Sequence, residues 1–199
     1  VDFKHLFASW FNRGFLVLRP INWSSPAHIL EKIITYESVH EIENWDDLRR
    51  RLQPEDRRCF AFFHPAMPDE PLIFVEVALT KGTPNSIQNV LLENRDAMAA
   101  EKADTAAFYS ISNCQAGLAG ISFGNSLIKT VVQHLLRELP QIRNFVTLSP
   151  IPGLVKWLRE SDNFDMDATA ETHMQLAAHY LLNAKHHNGQ PRDPVARFH

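Results

Sequence analysis

The chain has 199 residues and a mass of 22.8 kDa, room for one sizeable core, and its 45% hydrophobic and 22% charged composition is that of an ordinary globular domain. Its net charge of −3, from 20 basic and 23 acidic side chains well mixed along the sequence, excludes a broad electrostatic footprint for nucleic acid or an anionic membrane and leaves only local anion sites within reach. Cys59 and Cys114 are too few for a disulfide framework and lack metal-ligand spacing, so a reducing compartment is expected and neither thiol reads as catalytic. No apolar run reaches the roughly 18 residues of a membrane span, and no signal segment opens the chain. Val1 lies inside an amphipathic pattern and His199 ends the chain abruptly, so both ends read as cuts through a longer protein.

Phe3, Leu6, Phe7, Trp10 and Phe11 recur at helical spacing, and Asn12-Arg13-Gly14 supplies a stop. Phe15 to Leu18 predicts a short strand closed by Pro20. Ser24-Ser25-Pro26 then offers a cap and a first-turn proline for a helix carrying Ile29, Leu30, Ile33 and Ile34. Asn44 opens the next helix, followed by the basic cluster Arg49, Arg50, Arg51, Arg57 and Arg58, read as a solvated face or an anion-facing rim. Cys59 to His64 and Leu72 to Leu79 predict antiparallel neighbours in a central sheet, joined by a turn over Pro65 to Pro71. A polar loop from Thr80 to Gln88, a place suited to ligand contacts, leads into a helix running towards Met98.

Thr105 to Ile111 is the third strand-like run, and after a glycine-spaced loop Leu127, Ile128, Val131, Val132, Leu135, Leu136 and Leu139 mark an amphipathic helix stopped by Pro140. A buried strand over Phe145 to Leu148 precedes a helix with Leu154, Trp157 and Leu158. Glu160 to Thr172 reads as a loop, or as a place where residues have dropped out. A last helix carries Met174, Leu176, Ala177, Tyr180 and Leu181 before the tail Asn188 to Pro194 and Val195 to His199.

Two places carry chemistry. In Leu148-Ser149-Pro150-Ile151-Pro152-Gly153 an apolar strand stops and two prolines keep it from continuing, so the Ser149 hydroxyl sits on a stiff corner where it can be aimed. The loop Gly117-Leu118-Ala119-Gly120-Ile121-Ser122-Phe123-Gly124-Asn125, between strand and helix, can turn backbone N–H groups towards one anion, with the helix N-terminus adding its positive end. It is neither a dinucleotide fingerprint nor a P-loop. It partly resembles the acyl-CoA loop of the GCN5-related acetyltransferase fold. Among the histidines, His134, His179, His186 and His187 read as structural or surface groups, no pair has zincin spacing, and His64 at a strand end is the spare site candidate.

These features together resemble the catalytic domain of the malonyl-CoA decarboxylase family. The resemblance is carried by Phe3-Lys4-His5-Leu6-Phe7 with Trp10-Phe11-Asn12, Glu70-Pro71-Leu72 with Val77 to Thr80, and Ser86-Ile87-Gln88. It continues through Phe108-Tyr109-Ser110-Ile111-Ser112, the glycine loop as far as Lys129, Leu148 to Gly153 with Lys156-Trp157-Leu158, and Asp193 to His199. It implies an α/β (α+β) fold, an acetyltransferase-like mixed sheet flanked by helices, as one catalytic domain over residues 1–199, cut at both ends and short around 160–172. The helical N-terminal domain of the family, through which it forms homo-oligomers, is not in this sequence. It also implies a catalytic pair, Ser149 and His199, with Ser110 around the malonyl group. At Ser122 animal members carry a glutamate of the active-site network, which leaves Ser122 a hydrogen bond at most.

The implied reaction takes malonyl-CoA to acetyl-CoA and CO₂ through an enolate. It needs donors at the thioester oxygen, a carboxylate pocket that does not over-stabilise the ground state, and an acid for the α-carbon. A fixed serine and a histidine near its free pKa of about 6.5 suit those tasks. No redox or electron-sink cofactor and no metal are expected, because the thioester takes the electrons and coenzyme A enters with the substrate. Its pyrophosphate would lie on the loop from Gly117 to Asn125, with Lys129 and the arginine cluster as partners for its phosphates. Two other readings stay open: an acyl-CoA-dependent N-acyltransferase, and a non-catalytic acyl-CoA-binding module. A bacterial cytoplasm is the expected location, with a mitochondrial matrix or peroxisome for a eukaryotic source, and neither nucleic acid nor membrane is an expected partner.

Overall fold

The computed structural model describes residues 13–118, 124–161, 165 and 167–198. The helix expected around Phe3 to Phe11 lies outside them. Chain contacts divide the protein into two compact units, residues 1–148 and 149–199.

The first unit is built on a five-stranded sheet in sequential order, β1 (Val17–Ile21), β2 (Arg57–His64), β3 (Met67–Thr80), β4 (Thr105–Asn113) and β5 (Asn144–Thr147). The first four strands are antiparallel neighbours and β5 runs parallel to β4. A parallel pair needs a crossover, and helix α4 (Gly124–Glu138) supplies it. Its Leu127, Val131 and Leu135 are buried against Val75, Val77, Leu79 and Phe108, an apolar core in which each large side chain contributes roughly 1.5–3 kcal/mol on burial. On the other sheet face lie α1 (Ala27–Tyr36) and α2 (Trp45–Leu52), whose Ile29, Ile33 and Leu48 pack with Ala61, Phe63 and Phe74. The short helix α3 (Ile87–Leu91) places Val90 against Ala78 and Tyr109.

Several local expectations change. Pro20 lies inside β1, which is tolerated because an edge strand has ladder partners on one side only. Pro26 is the N-cap of α1 with no side-chain cap bond, while Asn22 and Ser25 bond within their own turn. The β2–β3 turn is only Pro65-Ala66, closed by the Ala66 amide donating to His64 Nδ1 at 3.1 Å, and Met67 to Pro71 already belong to β3. The helix expected to reach Met98 stops at Leu91. Arg95 grips Asp56 through both terminal guanidinium nitrogens, and the Met98 amide donates to the same carboxylate at 3.1 Å, so this segment is drawn out along the sheet end instead of coiling.

The second unit contains α5 (Leu154–Glu160), α6 (Ala170–Asn183) and α7 (Pro194–Phe198). Thr169 caps α6 by accepting from the Thr172 amide at 3.2 Å, so the expected loop from Glu160 to Thr172 ends three residues early. Gly189, at φ 79°, closes the turn that pairs Lys185 with Pro191.

Candidate functional site

The β4–β5 ladder is short. It joins Thr105 through Phe108 to Asn144 through Thr147, and the Leu148 amide adds a last bond to the Phe108 carbonyl at 2.8 Å. Proline at 150 cannot donate the next one. β4 continues to Asn113, so among the described residues its edge from Tyr109 onward has no strand partner on that side. Ser149 follows Leu148 and is exposed, as an aimed hydroxyl requires.

Within the second unit the rest of the Ser-Pro-Ile-Pro-Gly corner has a steric explanation. A Cβ on Gly153 would run into the Tyr180 hydroxyl, so any larger residue here requires the Tyr180 side chain to shift. Tyr180 is buried beside Trp157, with ring centroids 5.3 Å apart. Burial, and next the charge of Asp193, hold its phenol above the ordinary range. Asp193 is itself buried and caps α7, accepting from the Val195 amide at 2.8 Å and the Ala196 amide at 3.2 Å. The Asp-Pro-Val motif thereby starts a helix that leads directly to His199, which lies outside the described residues.

Ser110 is in β4, on the face towards α1 and α2. The register shifts between Glu76 and Val77, so that Val77 pairs with Phe108, Glu76 pairs with Ser110, and Tyr109 is an extra residue. This bulge puts Tyr109 and Ser110 on one face, beside Glu76. The Ser110 hydroxyl lies 2.7 Å from both oxygens of Glu37, the residue after α1. Oε1 of Glu37 also accepts the Val39 and His40 amides, each at 2.8 Å, and Oε2 accepts the Ser112 hydroxyl at 3.2 Å.

Glu76 is fully buried. Burial, helped by the charge of Glu37 and opposed by Arg51, raises its pKa to about 8, so near neutral pH it holds a proton. Arg51 reaches its Oε2 at 3.3 Å and Asp47 at 3.0 Å, and donates to the carbonyls of His40 at 2.7 Å and Glu41 at 2.9 Å. Glu76 Oε1, the Tyr109 hydroxyl and His40 Nε2 are buried with no hydrogen-bond partner among the described residues. The Tyr109 hydroxyl stands near enough to Glu76 to lower its pKa slightly, without reaching hydrogen-bond geometry. Desolvation, the largest influence on His40, lowers its pKa.

None of Glu37, Glu76, Tyr109, His40 or the buried role of Arg51 was expected. One signal existed: Glu76 is the single charged residue in the apolar run Leu72 to Leu79. The arginine cluster does not share one face: Arg49 is exposed and Arg50 and Arg58 are partly so. Arg51 and Arg57 are buried, Arg57 donating to the Val90 carbonyl at 2.6 Å, while Arg58 pairs with Glu138 at 2.6 Å and Arg50 with Glu93 at 3.1 Å. The Thr80–Gln88 loop borders an open cavity of about 350 Å³, lined by polar and apolar groups alike, that includes Asp56, Arg57, Lys81, Ser86 and Arg95.

Of the glycine loop, Gly117 lies in a short 3₁₀ turn (Ala116–Leu118), and Ala119, Gly120, Ile121, Ser122 and Phe123 fall outside the described residues. Gly124 is the buried first residue of α4, Asn125 is half-buried and Lys129 is exposed one turn further on. His64 closes the β2–β3 turn, His134 meets Phe60 edge-on, and His179 stacks on Trp157. Among the described residues no group of three or more His, Cys, Asp or Glu side chains is arranged to hold a metal. No described helix is long and apolar enough to cross a membrane. Both cysteines are buried, and desolvation raises their thiol pKa values, as befits packing residues.

Comparison with known proteins bears on the fold and the family. Residues 14–173 match the malonyl-CoA decarboxylase C-terminal domain. The chain is 40% identical to the mitochondrial malonyl-CoA decarboxylase of Anser anser anser, over 98% of this chain and 48% of the relative. It is 45% identical to that of Mus musculus, over 78% of this chain and 32% of the relative. It thus spans half or less of the curated relatives it matches. Among solved structures, malonyl-CoA decarboxylase from Agrobacterium vitis superposes with a TM-score of 0.91 at 53% identity, over 100% of this chain and 55% of that one. The enzyme from Rhodopseudomonas palustris gives 0.88 at 57%, over 99% and 55%. The loading GNATL domain of CurA from Lyngbya majuscula, 17% identical with a TM-score of 0.57 over 93% of this chain and 82% of that one, shares the fold alone, which is acetyltransferase-like. The chain belongs to the malonyl-CoA decarboxylase family, in the part that forms its C-terminal domain.

Proposed function

We propose that the protein converts malonyl-CoA to acetyl-CoA and CO₂. The observation that carries this reading is the exposed Ser149 on its proline-fixed corner, directly after the point where the β4–β5 ladder ends and leaves the edge of β4 open. An open strand edge offers backbone donors and acceptors to the amides of a pantetheine arm. The start of α4, with Gly124, Asn125 and Lys129, would face the pyrophosphate, together with loop residues 117–123.

Ser149 and His199 are the proposed catalytic pair, and Ser110 the proposed neighbour of the malonyl group. The carbon–carbon bond to the carboxyl group breaks, its electron pair passes into the thioester as an enolate, and CO₂ leaves. The Ser149 hydroxyl would donate to the carboxylate or the nascent enolate, and His199 would orient the carboxylate or deliver the proton that completes acetyl-CoA. The thioester serves as the electron sink, so no further cofactor is proposed. Identities of 53% and 57% to bacterial enzymes, against 40% and 45% to animal ones, support a bacterial cytoplasm, and family membership supports a homo-oligomer.

The test is CO₂ and acetyl-CoA formed from malonyl-CoA by the intact protein without added metal or biotin. Both Ser149→Ala and His199→Ala are expected to lower turnover by about 10²-fold or more while coenzyme A still binds. Coenzyme A binding without CO₂ release would move the reading to an acyltransferase or a binding module.

A further inference from the structure

The carboxylate of Glu37 stands behind Ser110 in a way that fixes what Ser110 offers a ligand. A serine has one hydroxyl proton, and at 2.7 Å from both carboxylate oxygens that proton belongs to Glu37. Ser110 therefore meets any other group with lone pairs alone. Glu37 is locked in place, because Oε1 carries two backbone amides and Oε2 takes Ser112, whose oxygen in turn accepts the Ser38 amide at 3.1 Å. The nearby buried cation, Arg51, is taken up by Asp47 and Glu76. A group beside Ser110 would thus meet an electron-rich oxygen backed by a carboxylate that is 8% exposed.

We propose that Glu37 is a positioning residue for decarboxylation: it holds Ser110 as a hydrogen-bond acceptor and keeps an anion behind the wall where the malonyl carboxylate rests, so that this carboxylate is bound less well than the CO₂ that replaces it. This rests on the proposed reading of Ser110 as a neighbour of the malonyl group. During the reaction the negative charge leaves the carboxylate and appears on the thioester oxygen at the other end of the three-carbon unit. A fixed anion beside the carboxylate therefore raises the ground state more than the transition state.

Glu37→Gln reverses both effects. With the side-chain oxygen kept on the two backbone amides, the new amide donates to Ser110 and Ser112, the charge is gone, and the Ser110 proton is free for a substrate carboxylate. The experiment compares kcat for malonyl-CoA with the affinities of the intact protein for sulfoacetyl-CoA, whose sulfonate cannot leave as CO₂, and for acetyl-CoA. Expected for Glu37→Gln are a kcat about tenfold or more lower, sulfoacetyl-CoA bound several-fold tighter, and acetyl-CoA within about twofold of the parent. Equal weakening of both ligands, or an unchanged affinity ratio, would overturn the proposal in favour of a merely structural carboxylate. Should that variant not fold, Glu37→Asp draws the charge back from Ser110 and is expected to shift the affinity ratio in the same direction by less; no shift overturns the proposal too. Absence of CO₂ release by the unmodified protein would instead defeat the decarboxylase reading, and the two binding measurements would still decide the charge effect separately.

Discussion

The two faces of the one sheet are built on opposite terms. Towards α4, Val75, Val77, Leu79 and Phe108 meet Leu127, Val131 and Leu135 in an apolar cluster. Towards α1 and α2 the same two strands present Glu76, Ser110 and Ser112, with Arg51, Arg57 and Tyr109 buried alongside. The first face takes its stability from apolar area; the second holds charges that would be cheaper to leave in water. Their retention fits the face to which the proposed site is assigned, since a scaffold alone is served better by the pattern seen opposite.

That contrast is sharpened first at Arg51. Arg51→Leu leaves Asp47, the buried Glu76 and the His40 and Glu41 carbonyls without their donor and is expected to cost about 3–5 kcal/mol in urea unfolding. Adding Glu76→Leu should recover the part of the loss that belongs to Glu76; a double variant no better than the single one would mean that this pair is not what holds the face together. On the α4 face, Leu135→Ala is expected to cost about 2–5 kcal/mol through a cavity, and no second substitution on the polar face should restore it.

In the second unit, Gly153→Ala drives a methyl into the Tyr180 hydroxyl and is expected to cost roughly 1–3 kcal/mol. Adding Tyr180→Phe, which removes that oxygen, should recover stability; no recovery would place the glycine's role elsewhere.

The most gradual expected effect is a pH dependence, carried on the polar face by Glu76. The Glu76 carboxyl rises from an ordinary 4.5 to about 8 on folding, so across that window the folded state holds the extra proton. Stability should therefore fall as pH rises from about 4.5 to 8, by at most about 1.4 kcal/mol per pH unit, and Glu76→Gln should flatten the slope. Asp56 acts in the opposite sense. Burial pushes its pKa up, but the Arg95 hydrogen bonds and the Met98 amide outweigh that and leave it depressed. Its contribution is present above its ordinary value of 3.8 and is lost as pH falls through the lower folded value. Urea midpoints of the parent, Glu76→Gln and Arg95→Ala across pH would separate the two groups.

The apolar face was the legible one. Runs such as Cys59 to Phe63 and the periodic Leu127, Val131 and Leu135 name their strand and helix because burial against apolar neighbours is a pattern in one dimension. Ser149 was legible too, since two prolines fix a corner without help from distant residues. The polar face was not. Glu37 meets Ser110 across 73 positions of sequence, and no spacing rule connects a residue after a helix with a bulge in the fourth strand. Arg51 sat in a basic cluster that looked solvated, and only the fold shows it turned inward onto Glu76. Arg95 stopped a helix through Asp56, 39 residues earlier, a tertiary bond that outweighs local propensity.

The most direct test of the division between the two faces is malonyl-CoA turnover by Ser110→Ala beside Val131→Ala, each measured well below its unfolding midpoint. The division predicts turnover lowered by about tenfold or more in Ser110→Ala and kept within about twofold in Val131→Ala, although Val131→Ala is the less stable protein. Equal losses in the two, or full turnover with Ser110 removed, would contradict it.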